Sequence, residues 1–214
     1  VPEFEEQYRR TFLNLGYPLK PRDRRAESRI VAAEKRLGIL MPPAVREYFL
    51  VAGAERRFNQ VFDRLLPPHE WFIENDHVVF MVENQVVVLW GVTATSTPQP
   101  DPSAFMGANG KEIVWHLEHE RCSTFLKVMI HWHGAFAGAM RYANTARVAP
   151  ELVDRLDSDW QFVGEVNGMR AYNRDRQAAC LVEWEDSWRI FGGATTKTGM
   201  SEISHDLGIN WEVT

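Results

Sequence analysis

The chain has 214 residues, 45% of them hydrophobic and 25% charged, with 24 Lys and Arg against 29 Asp and Glu. A net charge of −5 and a pI near 5.8 argue against the basic face of a nucleic-acid binder. A mean hydropathy of −0.32 is that of a globular protein, and 8 Trp with 12 Phe can fill a large core without a staple.

Two cysteines, Cys122 and Cys180, stand far apart in the chain. Their small number points to a reducing compartment, with a single disulfide between them as the other reading. Glu3, Glu5, Glu6, Arg9 and Arg10 stand where a signal peptide would have an apolar run, and no transmembrane segment is visible. The expected localisation is cytoplasmic, with no membrane and no nucleic-acid partner.

Phe4, Tyr8, Phe12 and Leu15 recur at helical steps, and Gly16-Tyr17-Pro18 stops that helix. Leu19 to Arg25 reads as a basic linker. A second helix carries Ile30, Ala33 and Leu37 and stops at Gly38. Met41-Pro42-Pro43 starts a third, with Val45, Tyr48, Phe49 and Ala52 on its apolar side and Gly53 at its end. Glu55 to Pro68 reads as an irregular connection, and Trp71-Phe72-Ile73 as a short strand.

His77 to Val92, HVVFMVENQVVVLWGV, is the most apolar run of the sequence. Its β-branched residues fill both parities, which predicts two strands covered on both faces and joined by a turn at Glu83-Asn84-Gln85. A buried helix is the rival reading, and the polar break argues against it. Thr95 to Gly110 is dense in Pro and Gly and reads as an exposed loop. Ile113-Val114-Trp115 follows as a strand.

From Ser123 the helical period returns, with Phe125, Met129, Trp132 and Phe136 as one stripe ending near Gly134 or Gly138. Ala149 to Leu156 reads as a shorter helix. The rest reads as an antiparallel meander: Phe162 to Val166, the turn Asn167-Gly168, Met169 to Tyr172, Ala178 to Trp184 and Trp188 to Phe191. Ser201 to Leu207 closes the chain as a helical turn stopped at Gly208. Helices first, then strands with a helix between, is an α+β pattern.

The densest set of ligand-type residues is His116-Leu117-Glu118-His119-Glu120-Arg121-Cys122. His116-Leu117-Glu118 matches the start of the zinc deaminase signature, but the Pro-Cys-x-x-Cys element that would complete the metal shell is missing. A polar strand edge explains the cluster more simply than a metal-dependent enzyme built on His116, His119 and Cys122. His131-Trp132-His133 lies in a helical period, where residues two apart diverge, so satisfied histidines are expected there. His69-Glu70 lacks the second His of a metalloprotease helix, and Gly192-Gly193 reads as a strand-end turn. A Cys122/His119 nucleophile pair rests on sequence adjacency alone, which is weak ground. No catalytic residue, metal or cofactor is expected.

Of the eight tryptophans, Trp71, Trp90, Trp115, Trp132, Trp160, Trp184, Trp188 and Trp211, most are expected in the core. Trp71, beside a polar loop, is expected at a partner surface. Trp90, Phe125 and Trp132 are expected to be structural anchors.

Ala33-Glu34-Lys35-Arg36-Leu37-Gly38-Ile39-Leu40-Met41-Pro42, followed by Val45-Arg46-Glu47-Tyr48-Phe49 and Gly53, resembles the opening of the SUKH superfamily. That group contains bacterial toxin-immunity proteins and fungal cell-wall-assembly regulators. Leu66-Pro67-Pro68, Val79-Phe80 to Glu83-Asn84-Gln85, Trp90-Gly91-Val92 and Ser123-Thr124-Phe125-Leu126-Lys127-Val128-Met129 continue the likeness in order. It spans about residues 26 to 140 and, more loosely, the C-terminal meander, but not residues 1 to 25, and Leu40-Met41-Pro42 departs from it where the family usually has Leu directly before Pro.

The resemblance implies an α+β fold with a mixed, largely antiparallel sheet flanked by helices. It places one domain at residues 26–214 behind an N-terminal helix and linker at 1–25. It further implies a non-catalytic protein-binding role, with a toxin as the candidate partner and a regulatory scaffold as the alternative. Glu83, Asn84 and Gln85, the turn of the hairpin, join Trp71 as the expected partner-binding residues.

Overall fold

The computed structural model describes residues 3–184 and 187–212. The α+β class is observed, with two antiparallel sheets flanked by helices. The chain divides into two compact units, Val1–Arg9 with Leu19–Phe125, and Arg10–Pro18 with Leu126–Thr214. Among the described residues no helix is long and apolar enough to cross a membrane.

The first unit opens with three of the expected helices. They are α1 (Glu3–Asn14), which also enters the second unit, α2 (Glu27–Leu37) and α3 (Pro43–Ala52). Helix α2 ends where Gly38 turns left-handed, at φ 68°, and Pro43 sits in the first turn of α3, where its missing N–H costs nothing. The first turn of α1 leaves N–H groups without intrahelical partners. Glu47 of α3 answers them, its Oε2 accepting from the N–H groups of Phe4 at 2.7 Å and Glu5 at 2.9 Å. Tyr8 meets Tyr48 edge-on at 5.0 Å, and Phe49 meets Trp71 at 4.9 Å.

The stretch expected to be irregular holds a short helix, α4 (Arg56–Asn59), and a strand, β1 (Asp63–Leu65). After β2 (Phe72–Glu74) come β3 (His77–Glu83) and β4 (Val88–Thr93), the expected hairpin, with Val78 to Glu83 buried. Strands β1 and β2 lie end to end along β3, opposite Met81–Glu83 and His77–Val79. Beyond β4 the sheet continues through β5 (Ala104–Ala108) to β6 (Trp115–His119) at its edge.

Strand β5 corrects the reading of Thr95 to Gly110 as loop. Its Ala, Gly and Met have weak strand preference, and pairing with β4 from Val88 to Gly91 decides its conformation. Gly107 is needed there, because a Cβ would lie 2.7 Å from Ile113 Cγ2 and 3.1 Å from the Trp115 ring. The strand expected at Ile113 begins at Trp115 instead.

Helix α5 (Cys122–Ala135) belongs to the first unit as far as Phe125 and to the second from Leu126. Its start is tied to the β4–β5 connection: Asp101 accepts from the Ser123 N–H at 2.8 Å and from its hydroxyl at 2.6 Å.

The second unit contains β7 (Tyr142–Val148), α6 (Leu152–Asp159), β8 (Gln161–Val166), β9 (Met169–Arg174), β10 (Gln177–Trp184), β11 (Ser187–Ala194) and α7 (Lys197–Leu207). Its sheet runs β7-β11-β10-β9-β8, antiparallel at each pairing. Asn167 and Gly168 both have positive φ, 47° and 77°, as the predicted two-residue turn requires. Helices α6 and α7 bury Leu152, Leu156, Ile203 and Leu207 against Tyr172, Leu181 and Ile190.

Gly192-Gly193 is not the expected strand-end turn but lies inside β11. A Cβ on Gly193 would stand 2.8 Å from the Gly134 carbonyl of α5, and one on Gly192 would stand 2.5 Å from the Trp211 ring. The two glycines let a helix backbone and an indole press onto the sheet. Strand β7, not anticipated, carries polar residues at alternate and consecutive positions, and its pairing with β11 makes it a strand.

Candidate functional site

The turn between β3 and β4 combines backbone strain, a rigid bracing network and exposed apolar side chains. Val86 sits at φ +60°, a left-handed conformation that crowds a β-branched side chain. Such strain costs about 1–3 kcal/mol and persists only where surrounding bonds over-determine it. Those bonds are present. The Val86 N–H donates to the Glu83 carbonyl at 2.8 Å, and Glu83 Oε2 accepts from the Gln85 N–H at 2.8 Å and the Val87 N–H at 3.4 Å. From the β5–β6 connection, Asn109 Nδ2 donates to the Val86 carbonyl and the Asn109 N–H to the Val87 carbonyl, each at 2.8 Å.

Val86 and Val87 are 41% and 50% exposed, beside the exposed amides of Asn84 and Gln85. The turn is therefore a fixed knob with an apolar tip and a polar shoulder. Surfaces held this way lose little freedom when a partner covers them.

The expected partner-binding residues divide. Asn84 and Gln85 stand on the exposed knob, whereas the buried Glu83 carboxylate holds it from below. Trp71 is 1% exposed, its Nε1–H donating to the Leu66 carbonyl at 3.0 Å, so it is core to the unit and meets no partner docked on the folded surface. Its polar flanks misled, because the neighbouring Pro-rich turn folds the ring inward. The expected anchors are all packed. Phe125 lies 6.3 Å from both Phe80 and Trp90, and Trp132 stacks on Phe136 at 4.3 Å and meets Phe191 edge-on at 5.1 Å. The Trp184 side chain lies outside the described residues.

The His116–Cys122 cluster does not converge. The register of β6 is broken at Glu118, where Leu117 and His119 oppose the consecutive residues Phe105 and Ala104, so the run does not form one regular face of ligands. His119 Nδ1 accepts the Arg121 N–H at 2.9 Å, and Cys122 is buried. Burial, and then the charge of Asp101, pushes the Cys122 thiol well above its usual range, opposite to what a nucleophile needs. Glu118 accepts from the Trp90 Nε1–H at 3.2 Å, and burial raises its carboxyl while that hydrogen bond opposes the rise. Among the described residues no group of three His, Cys, Asp or Glu is placed to hold a metal ion.

His131 and His133 are both buried in α5. His131 Nδ1 lies 2.7 Å from the Lys127 carbonyl, and its Nε2 has no hydrogen-bond partner. Burial lowers its pKa to about 4.

Reasoning from sequence missed Val86, Val87 and Asn109. A signal was present: once a turn is placed at residues 83–85, the continuous Val86-Val87-Val88 cannot all be strand interior. No protein-family model matches the chain, and neither curated proteins nor solved structures yield a match.

Proposed function

We propose that the chain is a non-catalytic protein-binding module, and more specifically an immunity-type protein that neutralises a toxin by covering it. The observation that carries the reading is the braced β3–β4 turn, which holds Val86 in a strained conformation and offers Val86 and Val87 to solvent. Val86 and Val87 leave 41% and 50% of their surface to solvent at a strained turn, and a partner that covers them is the reading we favour for keeping them there. The net charge of −5 suits a basic partner such as a nuclease, since complementary charge speeds encounter. The order of short motifs resembling the SUKH superfamily supports the same reading.

The test is co-expression with the toxin candidate encoded beside the gene. Protection and a co-purifying complex, both weakened by Val86→Asp, are expected. The absence of both protection and a complex would overturn the proposal. Recovery of only signalling or cell-envelope partners would transfer the turn to a regulatory scaffold.

A further inference from the structure

A cleft of about 330 Å³ opens in the second unit, lined by Asn14, Gln161, Asn173, Arg174 and Asp175. Its size is at the lower end of ligand clefts, which run from roughly 300 to 1,000 Å³. Gln161 and Asn173 are register partners on the antiparallel strands β8 and β9, so their side chains stand side by side on one face of the sheet. Asp175 follows in the turn into β10. Asn14 is the last residue of α1, and its carbonyl accepts from the Arg176 N–H at 2.7 Å, which ties the helix end to that turn. Asn173 is left unanswered by its own fold. It is only 5% exposed, yet its side-chain amide makes no hydrogen bond among the described residues. Folded proteins pair nearly all such groups, because burial without a partner forfeits the bonds an amide makes to water. This amide borders the cleft, so water or a ligand seated there completes it.

The lining sets the chemistry of that ligand. Asn14, Gln161 and Asn173 each carry a carbonyl acceptor beside an NH2 donor, which suits groups that themselves both donate and accept. One cation, Arg174, and one anion, Asp175, leave the lining neutral, so it selects for neither charge. Arg174 is already engaged: its Nε and Nη2 donate to Gln177 Oε1 at 3.1 and 3.0 Å, and Asp206 lies 2.8 Å from Nη2. Asp175 is exposed and has no ion pair among the described residues, and a carboxylate can accept from two hydroxyls at once. Every lining residue is polar, so an apolar ligand body gains nothing there. A neutral molecule bearing several hydroxyls meets all of these conditions. Glycoside hydrolysis ordinarily needs two carboxylates about the bond, and the cleft has one, so its use is binding rather than cleavage.

We propose that this cleft binds a sugar of monosaccharide to disaccharide size. Asn173 is its buried anchor, Asn14 and Gln161 stand beside it, and Asp175 accepts from a pair of hydroxyls at the mouth. The site does not depend on the toxin-binding reading, which rests on a turn of the first unit.

The test is heteronuclear NMR of the full chain, following the side-chain amide resonances. Glucose, galactose, mannose and N-acetylglucosamine are titrated separately into the millimolar range. At least one sugar is expected to shift the Asn173 and Gln161 amides saturably. Asn173→Leu keeps the size and removes both polar atoms, and should weaken that sugar's binding by about tenfold. Gln161→Ala changes an exposed side chain and should weaken it by about fivefold, which keeps the test open if the first variant fails to fold. Each sugar is also supplied as its methyl glycoside: equal binding assigns the end of a glycan, and lost binding assigns a free reducing sugar. Acetamide, a peptide group without hydroxyls, is titrated beside them. Saturable binding of acetamide with none of any sugar overturns the proposal in favour of a peptide. So does the absence of a saturable shift with all of the sugars, or a sugar affinity that neither variant changes.

Discussion

Asn109 and Val86 are 23 residues apart, and the Asn109 side-chain amide donates to the Val86 carbonyl at 2.8 Å. This bond holds a β-branched residue at φ +60° on the tip of the β3–β4 hairpin. The restraint thus comes partly from Glu83 in the same hairpin and partly from a different connection of the sheet.

Val86→Gly should separate stability from binding. Glycine takes the left-handed conformation freely, and the relief, less the extra chain entropy, should stabilise the protein by up to about 1 kcal/mol. Partner affinity should fall, because one of the two exposed valines is gone. Urea denaturation and a binding titration on the same variant check both signs. Asn109→Ala should act oppositely on stability, costing about 1 kcal/mol for the lost hydrogen bond.

Trp71→Ala should destabilise by about 3–5 kcal/mol, the usual cost of emptying a buried aromatic site. The ring packs on Phe49 and its N–H is satisfied by Leu66, so the loss includes an orphaned carbonyl. A change within about 0.5 kcal/mol in chemical denaturation would instead mark a surface residue.

His131 should make the protein acid-sensitive. Its folded pKa, about 4, lies below the ordinary 6.5, so the unfolded chain binds the proton more readily. The stability associated with the neutral ring is complete above about pH 6.5 and is lost progressively as pH falls toward 4. The full loss is about 3 kcal/mol. His131→Phe should flatten this part of the stability–pH curve, measured by denaturation between pH 7 and the acid limit.

Both thiols should be silent in the native state. Cys122 and Cys180 are free and buried, and burial raises both of their pKa values. Ellman's reagent should report no fast thiol under native conditions and two after denaturation. A fast native thiol would show that one of the two sites opens.

Local physics was readable from the chain itself. Phe4, Tyr8 and Phe12 recur at helical steps, and all three are buried. Gly38 and Gly208 end helices because only a residue without Cβ turns left-handed freely. Asn167-Gly168 makes its turn because Asn and Gly both tolerate positive φ, and the β-branched run from His77 specifies two strands covered on both faces. These signals lie within a few residues of the structure they cause.

Tertiary structure decided what depends on a distant partner. Ala104–Ala108 is a strand because β4 lies beside it, and Tyr142–Val148 because β11 does. Trp71 is core because Phe49 and Leu66 receive it, and Gly192-Gly193 is strand interior because Trp211 and α5 press there. The candidate site belongs to the same class. Glu83-Asn84-Gln85 was visible as a turn, but the strain falls on the next residue, Val86, which Asn109 helps to hold from the next connection. Hydrogen bonds and close packing are satisfied between residues far apart in sequence, and no local pattern records which of them will meet.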